Sequence, residues 1–189
     1  MITVIFTCFM LLLHFQITDI CRYLIQYKTI SAEIITESFK NSEYHQLTRI
    51  VTSNLFHNNL HHILLNMIAF INIGIPIEDF FKTINKYLYF KILILLVILS
   101  GIINFIFHYL LFKYTNDLYY YTINVCGFSA VLFGLKFIFY HLITGDFNLS
   151  IQQCVLNLII IYLLIPNSSI LGHLSGLCSG IIVSKLIGI

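Results

Sequence analysis

The sequence predicts an all-α polytopic membrane protein with six transmembrane helices and a long first loop. Two observations carry that class. Of 189 residues, 59% are hydrophobic and 10% are charged, against the ~25% charged of an ordinary soluble domain. The apolar residues also fall in runs near 2–17, 60–77, 87–112, 126–143, 151–165 and 170–188. These lengths lie within or near the ~20 residues that cross a ~30 Å hydrocarbon core. Six spans use up the chain, which therefore reads as one membrane domain over 1–189. A net charge of +2 gives no reason to expect a nucleic-acid partner, and lipid is the expected surrounding.

The first run, Met1 to Leu13, lacks the basic n-region of a secretory signal; it reads as a retained first span, with a cleaved signal as the alternative. Residues 18–58 are the only long hydrophilic stretch and hold Asp19, Arg22, Lys28, Glu33, Glu37, Lys40, Glu43 and Arg49. Their charges nearly cancel, which predicts a folded loop with short helices at the interface. Lys82, Lys86 and Lys91 cluster between spans two and three, so that connection is expected inside under the positive-inside rule. The N-terminus then also lies inside. The long loop, the approach to span four and the turn Pro166-Asn167-Ser168-Ser169 lie outside. Lys113 is the cation that runs against this topology, while Lys185 fits by snorkelling to the inner face. Cys8, Cys21, Cys126, Cys154 and Cys178 are scattered without C-x-x-C spacing and read as buried free thiols.

Polar residues within these spans gather at one depth. His62 and Asn66 are four residues apart, hence on one face of span two, in its first two turns. Gly127-Phe128-Ser129-Ala130 opens span four, and His173 lies about one turn into span six. All are expected within about 10 Å of the outer surface. These groups suit acyl transfer. Ser129 needs a base, which His173 supplies, while His62, Asn66 and the backbone N–H of Ser129 are donors suited to an oxyanion. No Asp or Glu lies in a span at that depth, so the expected arrangement is a dyad, with packing orienting the histidine. His173, Gly176 and Gly180 share one face of span six as a small-residue seam. Gly127, Ala130 and Gly134 provide small residues on span four, and Phe133 is placed to pack under the imidazole.

In these motifs the chain resembles the rhomboid protease family from the first loop onward. His57, His62 and Asn66 reproduce its H-x4-H-x3-N pattern. Gly127-Phe128-Ser129-Ala130 matches its G-x-S-G motif except at Ala130, and Gly172-His173-x-x-Gly176-x-x-x-Gly180 matches its sixth-helix motif. The resemblance implies a rhomboid-like bundle, with Ser129 as nucleophile and His173 as base. It places His62 and Asn66 in the oxyanion hole with His57 in support. It also implies that Arg49 and Glu78 brace the first loop, and that a substrate transmembrane helix enters past span five, near Cys154 to Leu164. The run Gly127 to Lys136 most resembles the endoplasmic-reticulum branch, which implies that or another secretory-pathway membrane. Neither cofactor nor metal is expected. Asn is a poor zinc ligand and H-E-x-x-H is absent. The alternative function is a catalytically silent relative that binds membrane proteins for dislocation or trafficking. A transporter or channel is a third class, but it lacks charged residues along a midplane path.

Overall fold

The computed structural model describes residues 1–16, 23–85, 87–165 and 168–189. Asp19, Cys21, Arg22, Lys86, Pro166 and Asn167, all used above, lie outside the described residues. Among those described, the α-helices are α1 (Ile2–Phe15), α2 (Ala32–Lys40), α3 (Arg49–Thr52), α4 (Leu60–Ile84), α5 (Leu88–Thr115), α6 (Leu118–Thr122), α7 (Ser129–Thr144), α8 (Phe147–Leu164) and α9 (Ile170–Ile187). Short 3₁₀ turns at Ile25–Tyr27 and Tyr44–Thr48 complete the first loop.

Four of these helices, α4, α5, α8 and α9, are long and apolar enough to cross a membrane; α1 and α7 are shorter apolar helices. Half of the residues of α7, 130–135, 137 and 138, are buried.

Two boundaries differ from the hydropathy pattern. Helix α4 runs on to Ile84 through Pro76, carrying Glu78, Asp79 and Lys82 in its last two turns. Lys82 pairs there with Asp79 at 2.9 Å and Glu78 at 3.5 Å, spacings that support a helix end. Lys82 and Lys91 therefore lie on the helices themselves, not in the loop between them. Helix α5 likewise continues to Thr115 and takes in Lys113. The cysteines also divide differently from the expectation: Cys154 is buried, Cys126 and Cys178 are half-buried, and Cys8 is exposed. An exposed Cys8 lies on the outward face of α1, where a small apolar thiol meets lipid as readily as protein.

The bundle closes around α7. Helix α9 packs most extensively on α7 and next on α5. At the α7–α9 seam the backbones touch. A Cβ on Gly176 would stand 1.9 Å from the carbonyl oxygen of Ala130, and one on Gly180 would stand 2.6 Å from that of Gly134. Only glycine permits this approach. The core beneath holds Ile63, Phe70, Leu96, Phe128, Val131 and Val183 with little or no exposure.

Among the described residues Glu78 bonds the start of α1, not the first loop that it was expected to brace. It lies near the opposite end of α4 from Asn66 and caps the start of α1. Its carboxylate accepts from the N–H groups of Ile2 (2.8 Å) and Thr3 (2.9 Å), from Thr3 Oγ1 (2.8 Å), and from the Met1 amino group. An anion at a helix N-terminus meets unpaired N–H groups and the positive end of the dipole, which explains a buried carboxylate at this place.

Candidate active site

Each polar residue of the site is positioned by a local device. Helix α4 starts where the Asn59 carboxamide oxygen accepts the N–H of His62 at 2.8 Å, a normal N-cap. One turn on, Asn66 Nδ2 donates to the His62 carbonyl at 2.9 Å. This uses one of its two amide protons and leaves a second donor. Asn66 is buried while His62 is half-buried.

The segment that delivers Ser129 is clamped by the first loop. Ile30 and Val125 exchange backbone hydrogen bonds of 3.0 and 2.9 Å, and Gly127 N donates to the Ser53 carbonyl at 2.9 Å. Phe128 N donates to His57 Nε2 at 3.2 Å. Gly127 has φ of +131°, a conformation that side chains disfavour. A Cβ there would also come 2.6 Å from His62 Cε1 and 3.0 Å from Nε2. The His62 ring thus lies directly against the Gly127 backbone. It meets His57 edge-on as well, with centroids 4.9 Å apart. Buried beside His62, His57 has its imidazole pKa lowered to about 3, burial being the larger cause. It is therefore neutral and free to accept from Phe128.

Arg49 holds the other side of this clamp. Its Nη1 donates to the Thr29 carbonyl at 2.9 Å and its Nε to Gln46 at 2.6 Å. Its guanidinium stands 5.4 Å from the Tyr27 ring centroid. Thr29 precedes Ile30, so Arg49 is two links from Val125 and the serine turn.

Ser129 is the first residue of α7 and is half-buried. Its N–H belongs to the helix N-terminus, where intrahelical partners are missing. His173, four residues into α9, is 5% exposed. Ser169 caps this helix through the N–H of Gly172 at 3.0 Å. The imidazole stacks on Phe133 with centroids 4.5 Å apart and planes 19° from parallel. His62, Asn66, Ser129, Ala130, Phe133 and His173 all line one cavity of about 1100 Å³. Among the described residues no hydrogen bond joins Ser129 to His173, and no cluster of His, Cys, Asp or Glu has metal-binding geometry.

The ties from the Ile30 and Ser53 backbones and the His57 ring to residues 125–128 were not visible in the sequence, since pairing across seventy or more residues leaves no periodic mark. Lys136, which also lines the cavity, does carry a sequence signal: a lone charge within an apolar run.

The Rhomboid domain family model matches residues 44–188. The chain belongs to the rhomboid family. This rhomboid is 29% identical over 153 residues to Rhomboid-like protein 14, mitochondrial, of Arabidopsis thaliana, covering 77% of this chain and 45% of that protein. It is 32% identical over 149 residues to Rhomboid-like protein 15 of the same plant, covering 71% and 35%. With human Rhomboid-related protein 4 it shares 24% over 144 residues, covering 72% and 45%. The chain thus spans less than half the length of each of these relatives. Membership and the apolar helices together make it an integral, multi-pass membrane protein in a lipid bilayer.

Proposed function

We propose that this rhomboid is an intramembrane serine endopeptidase that hydrolyses a peptide bond in or near the outer end of a substrate's transmembrane helix. The observation that carries the reading is the convergence of Ser129 and His173 on one cavity, on two helices whose backbones touch at Gly176 and Ala130. His173 accepts the hydroxyl proton as Ser129 Oγ attacks the scissile carbonyl. His62, Asn66 and the Ser129 N–H donate to the oxyanion. His173 returns the proton to the leaving amine, and water then releases the acyl group by the same route. The hydrogen bond between Ser129 and His173 forms as substrate enters; apo sites often lack it. His57, Gly127, Phe133, Gly176, Gly180 and Arg49 are positioning residues. The chemistry uses no cofactor.

In this reading α1, α4, α5, α7, α8 and α9 are the six spans, with the first loop and the catalytic ends outside. Substrate enters past α8, the span with the fewest buried residues, Ser150 and Cys154. A helical substrate has no free carbonyl in lipid, so it unwinds locally and Gly, Pro or polar residues near the cut favour cleavage. The compartment is the endoplasmic reticulum or another secretory-pathway membrane; fluorescence imaging of the tagged protein tests this, and a mitochondrial signal, matching the name of one relative, overturns it.

A second reading, a catalytically silent rhomboid that binds membrane proteins for dislocation or trafficking, is favoured by Ala130 in the serine motif. The two separate in one assay. Purified protein is incubated with a labile transmembrane substrate beside Ser129→Ala and His173→Ala forms. Cleavage by wild type alone supports the protease, whereas cleavage that persists in both variants, or never occurs with several substrates, refutes it.

A further inference from the structure

Lys136 is the eighth of the sixteen residues of α7. Its Cα stands about 10 Å along the helix from Ser129 and about 12 Å from the far end, too deep for the ammonium to snorkel freely to either surface. Its partners are neutral. Nζ lies 5.1 Å from the Phe133 ring centroid and donates to Asn157 Oδ1 of α8 at 3.3 Å. Asn157 in turn donates to Tyr140 at 3.0 Å. An ammonium has three donors, and the bond to the carboxamide uses one of them. The ion pairs among the described residues join Lys40 to Glu37, Lys82 to Glu78 and Asp79, and Met1 to Glu78; none includes Lys136. Yet it opens into the same cavity as Ser129 and His173. It is also tethered to α8, the helix past which substrate is proposed to enter.

A cation held at mid-span without its counterion selects for one. We propose that Lys136 is the specificity cation of this cavity, pairing with an Asp or Glu carboxylate in the substrate's membrane segment, on the membrane-interior side of the cut. The proposal rests on the protease reading of the same site. A span of about 10 Å covers roughly three extended residues or seven helical ones, so the favoured acidic residue lies between about three and seven residues from the scissile bond. Asn157 holds the ammonium until the carboxylate arrives, and Phe133 shares its ring between this cation and His173. Substrate charge would thereby be sensed next to the ring that orients the base.

The test is a panel of one transmembrane substrate carrying Asp, Asn or Lys at each position from the third to the seventh beyond the cut. It is cleaved by the full chain in liposomes. The Asn substrate is the internal reference for every variant, so general loss of activity cancels. Wild type is expected to prefer Asp over Asn by about tenfold in kcat/KM at one register. That preference survives in Lys136→Arg, collapses to near unity in Lys136→Met, and gives way to a preference for Lys in Lys136→Glu. No preference at any register in wild type, or the same preference in Lys136→Met, overturns the proposal. If wild type cleaves nothing, the panel is read as binding to Ser129→Ala protein by energy transfer. An Asp preference there sustains the specificity cation while the protease reading falls, and its absence overturns both.

Discussion

The imidazole of His173 lies on the Phe133 ring, centroids 4.5 Å apart and planes 19° from parallel. The proposed dyad has no carboxylate to orient its base, and in that reading the stack is what orients it. Phe133→Leu keeps the volume but loses the ring. Such an aromatic pair contributes about 0.5–1.5 kcal/mol, so kcat is expected to fall roughly three- to tenfold with KM little changed, as measured on a neutral transmembrane substrate. An unchanged kcat would leave the stack without a role in orientation.

The α7–α9 seam predicts a sharper penalty. Since a Cβ on Gly176 would overlap the Ala130 carbonyl at 1.9 Å, Gly176→Ala forces the helices apart. Overpacking of a tight core typically costs about 1–3 kcal/mol; because the clash is with backbone, the upper end is expected in thermal unfolding, with loss of cleavage. Ala130→Gly does the opposite. It removes a methyl that the cavity wall already accommodates and costs about 1 kcal/mol in helix propensity, with cleavage retained within a few-fold.

Gly127→Ala meets two obstacles, a φ of +131° and the His62 ring at 2.6 Å. The serine turn and the proposed oxyanion donor cannot both keep their places. Cleavage is expected to drop by about a hundredfold or more, near the loss from removing an oxyanion donor, while the protein still inserts into membranes. Proteolysis protection of the spans checks the second half.

His57 carries a pH prediction. Its folded pKa is lowered to about 3 by burial and by His62, below the ~6.5 of a free imidazole. Between these values the unfolded chain binds the extra proton, so stability is full above about pH 6.5 and declines as pH falls toward 3, by at most about 1.4 kcal/mol per pH unit. His57→Gln keeps an acceptor for Phe128 N without titrating. Its unfolding temperature should fall less than that of wild type between pH 7 and 4. Parallel slopes would contradict the assignment.

The placement of the site was largely legible because its signals are local. His62 and Asn66 share a face by spacing, Ser129 follows a glycine at a helix start, and His173, Gly176 and Gly180 repeat along one side of α9. The apolar runs also marked the four helices long enough to cross a membrane and the two shorter apolar ones. They failed at the helix ends, since the second run stops at the charged Glu78 and Asp79 while α4 continues to Ile84, where Lys82 pairs with both carboxylates. Glu78 was misassigned because its partners, the first N–H groups of α1, lie more than seventy residues away. Long-range ties such as Ile30 to Val125 and His57 to Phe128 have no sequence period at all. Folding supplies them, and they hold the serine turn in place.

The central claim is that Ser129 is a nucleophile activated by His173. The most direct measurement is covalent labelling of the membrane-embedded protein with a fluorophosphonate, with the adduct mapped by mass spectrometry. A single adduct on Ser129 is expected in wild type, and its loss in His173→Ala. A wild-type chain that is folded yet unlabelled, or a Ser129 adduct that forms equally well without His173, would contradict it.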